Sequence, residues 1–144
     1  MPRTVTFDTT AKVSQGKAQS SFPPPVEVTV RARYAPERSN PTRNLWFFLY
    51  TINIKNCGSD TVQLMSRRWI ITDARGGTEE VKGPGVVGKQ PKLGPDQAFE
   101  YTSGCPLNTQ FGSMHGWYQM VTQDGTEFEV PIPGFALRDP RNMQ

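Results

Sequence analysis

The run Gly83-Pro84-Gly85-Val86-Val87-Gly88 decides how this chain is read. It matches G-x-G-x-x-G, the pattern that in a dinucleotide-binding unit closes a strand, cradles a pyrophosphate on backbone N–H groups and opens a helix. Here no helix can follow. Lys89, Gln90, Pro91, Lys92, Leu93, Gly94 and Pro95 come next, and two prolines and a glycine so close together break a helical turn. The run is therefore a glycine-rich loop between two extended segments, Thr78 to Lys82 and Gln97 to Ser103. Two chemistries stay open for it. Glycine backbone can approach an anion closely and present successive N–H groups, which makes Lys82, Gly83, Gly85, Gly88, Lys89 and Lys92 a candidate ligand-binding set. Against this, Pro84 lacks an N–H and Pro-Gly is the usual chemistry of a type II turn, so the same residues also read as backbone geometry alone.

Outward from the loop the pattern is that of strands. Val26, Val28, Val30, Ala32 and Tyr34 alternate with Glu27, Thr29, Arg31 and Arg33, the period of a strand with one wet face. Ala35 to Arg43 holds two prolines, a serine and an asparagine and reads as a loop. From Leu45 to Asn56, Trp46, Phe48, Tyr50, Ile52 and Ile54 share one face, which belongs to the core. After a turn at Cys57 to Asp60, Thr61 to Thr72 returns as a strand whose alternation slips near Ser66, predicting a bend or bulge there. Asp73 to Gly77 closes a hairpin, and Trp117 to Gln123 and Thr126 to Ile132 form a last one about Asp124-Gly125. Trp69, Phe48, Tyr50 and Phe99 are expected in the core. About seven short strands with glycine and proline turns predict an all-β, immunoglobulin-like antiparallel sandwich. Residues 1–25 read as a flexible N-terminal arm, 26–137 as the domain and 138–144 as a polar C-terminal tail.

Composition narrows the function classes. Sixteen basic against thirteen acidic residues give a net charge of +3, too little to demand nucleic acid, and Arg31, Arg33, Arg38 and Arg43 read as a solvated face. Two cysteines, Cys57 and Cys105, make no disulfide framework, and no secretory leader pattern opens the chain; a reducing, cytoplasmic setting is expected. The longest apolar run, Leu45 to Ile54, includes Thr51 and Asn53 and falls short of the ~20 residues a membrane helix requires. With one histidine and two distant cysteines, no nitrogen–sulfur metal site and no cofactor are expected. His115 lies between Met114 and Gly116 in an expected connecting segment without a nucleophile motif, so catalysis is not expected. Asp73, Glu79, Glu80, Asp96 and Glu100 read as solvated charges.

Several blocks, in order and spacing, carry a resemblance: Val62-Gln63-Leu64, Ser66 to Asp73, Val81 to Gly88, Gln90-Pro91 and Tyr101-Thr102-Ser103-Gly104-Cys105-Pro106-Leu107. It continues through Trp46 to Ile54 upstream and through Gly112-Ser113-Met114, Tyr118-Gln119-Met120 and Phe128 to Pro133 downstream. Over Val26 to Leu137 the chain resembles the ApaG family, with Arg68 where that family usually has histidine. The resemblance implies a fibronectin type III-like sandwich. It also implies an association with cobalt tolerance and magnesium efflux, exerted through a transporter, a regulator or a nucleotide signal because nothing here forms a channel. ApaG-like modules attached to F-box proteins and to a polymerase-delta-interacting protein imply protein binding. Phe47 and Trp117 are then the expected partner anchors, and self-association stays open. The alternative is nucleotide polyphosphate or pyrophosphate binding at the glycine loop, as discussed for related proteins.

Overall fold

The computed structural model describes residues 3–8 and 24–142. Nine strands are present among them: β1 (Arg3–Asp8), β2 (Val26–Tyr34), β3 (Trp46–Asn56), β4 (Val62–Asp73), β5 (Thr78–Pro84), β6 (Lys92–Leu93), β7 (Ala98–Leu107), β8 (Phe111–Thr122) and β9 (Glu127–Arg138). They form two antiparallel sheets, ordered β1-β2-β3-β7 and β5-β4-β8-β9, with β6 pairing the first residues of β4. The expected sandwich is the observed one.

The core follows from the alternation. In β2 and β3 every second side chain is buried, from Val26 to Tyr34 and from Phe48 to Ile54. The second sheet meets them with Leu64, Trp69, Met114, Tyr118, Met120, Val130, Ile132 and Phe135. Trp69 is the hub, its ring 5.4 Å from Tyr50 and 5.9 Å from Phe135. Phe48 and Tyr50 are buried as expected, whereas Phe99 is only half-buried and packs against the core margin. Buried Asn56 closes the end of β3: its amide donates to Asp60 and Leu93 carbonyls and its Oδ1 accepts the Gly58 N–H. Without those bonds a buried amide would be costly.

The slip near Ser66 is a bulge in the pairing of β4 with β8, between Leu64 and Ser66. Four segments differ from the sequence expectation, and glycine explains three. β5 and β7 run further than expected, through Gly83 and Gly104, because glycines that read as loop permit close approach; a Cβ on Gly104 would sit 2.3 Å from the Phe47 ring. β8 begins at Phe111, so His115 lies in a strand and not in a connection. Gly112 and Gly116 hid that strand, and both are needed in it: a Cβ would fall 2.4 Å from the Thr72 carbonyl oxygen and 2.1 Å from that of Arg68. The arm expected over residues 1–25 contributes β1, paired antiparallel with β2; 1–2 and 9–23 of that arm, and 143–144 of the expected tail, lie outside the described residues. Within that tail Asp139 is buried and ion-pairs with Arg141.

Three of the four edge strands are guarded. β9 carries Pro131 and Pro133, β7 carries Pro106, and β5 ends in Pro84 after Glu79, Glu80 and Lys82. Prolines and charges on edge strands blunt pairing with a further strand. No helix among the described residues is long and apolar enough to cross a membrane.

Candidate functional site

The glycine run leaves β5 at the point where β4 bulges. The Gly85 N–H donates to the Met65 carbonyl at 2.9 Å, and the Gln90 side chain donates to the same oxygen. Val86 and Lys89 exchange N–H···O bonds of 2.8 and 2.9 Å, closing a two-residue hairpin over Val87 and Gly88. Both central residues have positive φ, 43° and 80°, which is the geometry of a type I′ turn. The turn expected at Pro84-Gly85 therefore stands at Val87-Gly88. Gly85 also has positive φ, 62°, but it serves to swing the chain back onto Met65. Arg67 holds this corner, donating from Nη1 to the carbonyls of Pro84 and Gly85 at 3.0 and 2.9 Å.

This arrangement engages the N–H groups of Gly85, Val86 and Lys89 inside the protein. Nor do the three lysines share a basin. Lys82 lines a hollow of about 220 Å³ on the outer face of the second sheet, whereas Lys92 borders a different one beside Gln63 and Gln123. Lys89 is exposed at the base of the turn.

Phe47 and Trp117 lie on the outer faces of opposite sheets. Phe47 is covered on one side by Gly104 and on the other by the Arg38 guanidinium, 4.2 Å from the ring centroid. Trp117 stands across β4 from Lys82, because Arg68 pairs with Lys82 in one register and with Trp117 in the other. The Arg68 guanidinium lies 4.8 Å from the Trp117 ring centroid and ion-pairs with Glu80, while exposed His115 meets the same indole edge-on at 5.6 Å. Ser66, Gln119 and Glu129 complete the hollow. Trp117 and Lys82 are expected from the sequence as site residues; Arg68 and His115 join them here only through strand register.

The comparisons with known proteins bear on this same stretch. The family model described as ApaG domain matches residues 36–122. The chain belongs to the ApaG family. Curated relatives agree: Protein ApaG of Bradyrhizobium diazoefficiens is 54% identical over 119 residues, 83% of this chain and 92% of the relative. Protein ApaG of Acidithiobacillus ferrooxidans is 52% identical over 115 residues, covering 80% and 91%. Among solved structures, a Bordetella pertussis protein described as ApaA superposes with a TM-score of 0.78 at 50% identity, over 81% of this chain and 95% of that one.

In this ApaG chain the buried phenols and the buried thiol are held in their protonated forms. Burial pushes the Tyr50, Tyr101 and Tyr118 hydroxyls up, and it pushes the buried Cys105 thiol up to about 12, with the Glu79 charge adding to the effect. A thiol so raised is a poor nucleophile at neutral pH. Among the described residues no three His, Cys, Asp or Glu side chains cluster as metal ligands do.

Proposed function

We propose that this ApaG-family chain is a non-enzymatic binding module that docks a protein partner on the outer face of its second sheet, with Trp117 as the anchor. The observation that carries the reading is the Trp117–Arg68 stack, a large aromatic and a guanidinium fixed against each other beside an open hollow. Trp and Arg dominate interface energies when a partner desolvates them. The guarded edges favour recognition by this face over the addition of a partner strand. The process served is the one the resemblance implies, cobalt tolerance and magnesium efflux, entered through the partner and not by holding the ion.

The nucleotide reading keeps one supporting observation: Gly83 is bordered by Lys82 and by the Arg67 guanidinium, whose Nη1 is 3.0 Å from where a Cβ on Gly83 would stand. It ranks second because the N–H groups of Gly85, Val86 and Lys89 are engaged inside the protein.

Affinity capture with wild type, Trp117→Ala and Phe47→Ala tests the ranking. Recovery of a defined partner by wild type and Phe47→Ala, and its loss with Trp117→Ala, is the expected result. Capture indifferent to Trp117, or turnover of a nucleotide by the purified protein, would reverse it.

A further inference from the structure

A further hollow lies elsewhere, at the end of the sandwich where β3 begins, β7 ends and the β4–β5 hairpin turns. It measures about 380 Å³, within the usual size of small-ligand sites. Leu45, Ile71 and Leu107 supply an apolar floor, and Asn44, Asn108, Asp73 and Glu79 a polar rim. No lysine or arginine is among the residues that line it.

The rim groups are placed but unspent. Asp73 is fixed by its Oδ1, which accepts the N–H groups of Arg75 and Gly77 at 2.9 Å each; among the described residues its Oδ2 has no hydrogen bond. The Glu79 carboxylate has neither a hydrogen bond nor an ion pair among them, although Glu79 stands opposite Ile71 in the ladder, directly over the floor. The two asparagine amides are likewise uncommitted among the described residues. An ammonium group has three N–H donors and no acceptor, so it can satisfy two carboxylates and an amide oxygen together. Its aliphatic stem would lie on the apolar floor, as lysine stems do on protein surfaces. A bare metal ion would leave that floor unused.

We propose that this hollow is a binding site for a primary alkylammonium group, presented by a free polyamine or by a lysine side chain of another protein. The site is independent of the Trp117 surface and stands or falls separately from it.

Amide chemical-shift titration with spermidine, with Nα-acetyl-lysine-methylamide and with uncharged 1,4-butanediol tests it, at constant ionic strength. An amine should shift Asn44, Gly77, Thr78 and Asn108 while the diol does not. Glu79→Gln, at an exposed and unpaired position, should keep the fold and weaken the amine by about tenfold, the loss of one charge-assisted hydrogen bond. A response to spermidine alone assigns the free amine, and a response to the lysine analogue alone assigns a protein side chain. Equal shifts with the diol, shifts confined to Glu127 and Glu129, affinity unchanged by Glu79→Gln, or no response to either amine at millimolar concentration would overturn the proposal.

Discussion

The hydroxyls of Tyr101 and Tyr118 meet at 2.6 Å across the interface between the two sheets, buried from solvent. Each satisfies the other. Tyr101→Phe or Tyr118→Phe alone strands a buried hydroxyl and is expected to cost ~1–3 kcal/mol, whereas the double substitution should cost less than the sum. Urea denaturation of the two single variants and the double variant checks this, and strict additivity would show that the pair is not coupled.

Trp69 is 2% exposed and packs edge-on against Tyr50 and Phe135. Trp69→Ala is expected to lose ~3–5 kcal/mol. Its Nε1 has no hydrogen-bond partner among the described residues, so Trp69→Phe gives up volume but no hydrogen bond and should be milder. Melting temperatures that place the two variants level would count against ring packing as the source of the stability.

At the glycine loop, geometry and charge separate by mutation. A Cβ at Gly85 would stand 2.3 Å from the Lys89 carbonyl oxygen, at positive φ, so Gly85→Ala should destabilise strongly, by more than the ~1 kcal/mol that such a substitution can contribute where the backbone accepts it. Combined Lys82→Ala, Lys89→Ala and Lys92→Ala should leave the melting temperature nearly unchanged. Calorimetric titration of ATP and pyrophosphate into wild type and into the triple variant then measures any anion affinity directly, and binding that vanishes in the triple variant would restore the nucleotide reading to first place.

Val87 is a β-branched residue at positive φ and is half exposed. Such a conformation is strained, by ~1–3 kcal/mol, and an asparagine accepts it readily. Val87→Asn is expected to raise the melting temperature; a fall would mean that the valine side chain contributes contacts worth more than the strain.

Alkaline pH should weaken the fold. The Cys105 thiol, ordinarily at 9.0, is pushed up to about 12, and the Tyr101 and Tyr118 hydroxyls are raised above 10.0, burial leading in each case. In the unfolded chain these groups lose protons first, so the unfolded state binds fewer protons there and stability falls with rising pH. Their contribution is complete below the ordinary thiol value and is lost progressively as pH climbs toward the folded values. Melting curves between pH 7 and 12 should show this decline, with its onset delayed in Cys105→Ala; the pH figures follow from the ordinary thiol and phenol range of about 8.5 to 10.

The sandwich was legible because Trp46 to Ile54 and Val26 to Tyr34 alternate cleanly, and the slip at Ser66 announced its bulge. What misled was glycine: Gly83, Gly104, Gly112 and Gly116 read as interruptions, yet each sits in a strand. β6 has two residues and so no period to detect. The surface around Trp117 was half visible. Its aromatic could be named, but its meeting with Arg68 depends on the register between β4 and β8, strands with three others between them in the chain. The three lysines looked like one set because they are close in sequence; the hairpin at Val87-Gly88 distributes them.

The prolines of β5, β7 and β9 bear on how this fold travels. A β domain with open edges is hazardous to join to another, since unfinished chains emerging side by side can zip together before either has closed. Proline at these borders removes donors that such mispairing would use. With three borders so finished, β1 is the edge left through which such mispairing could begin.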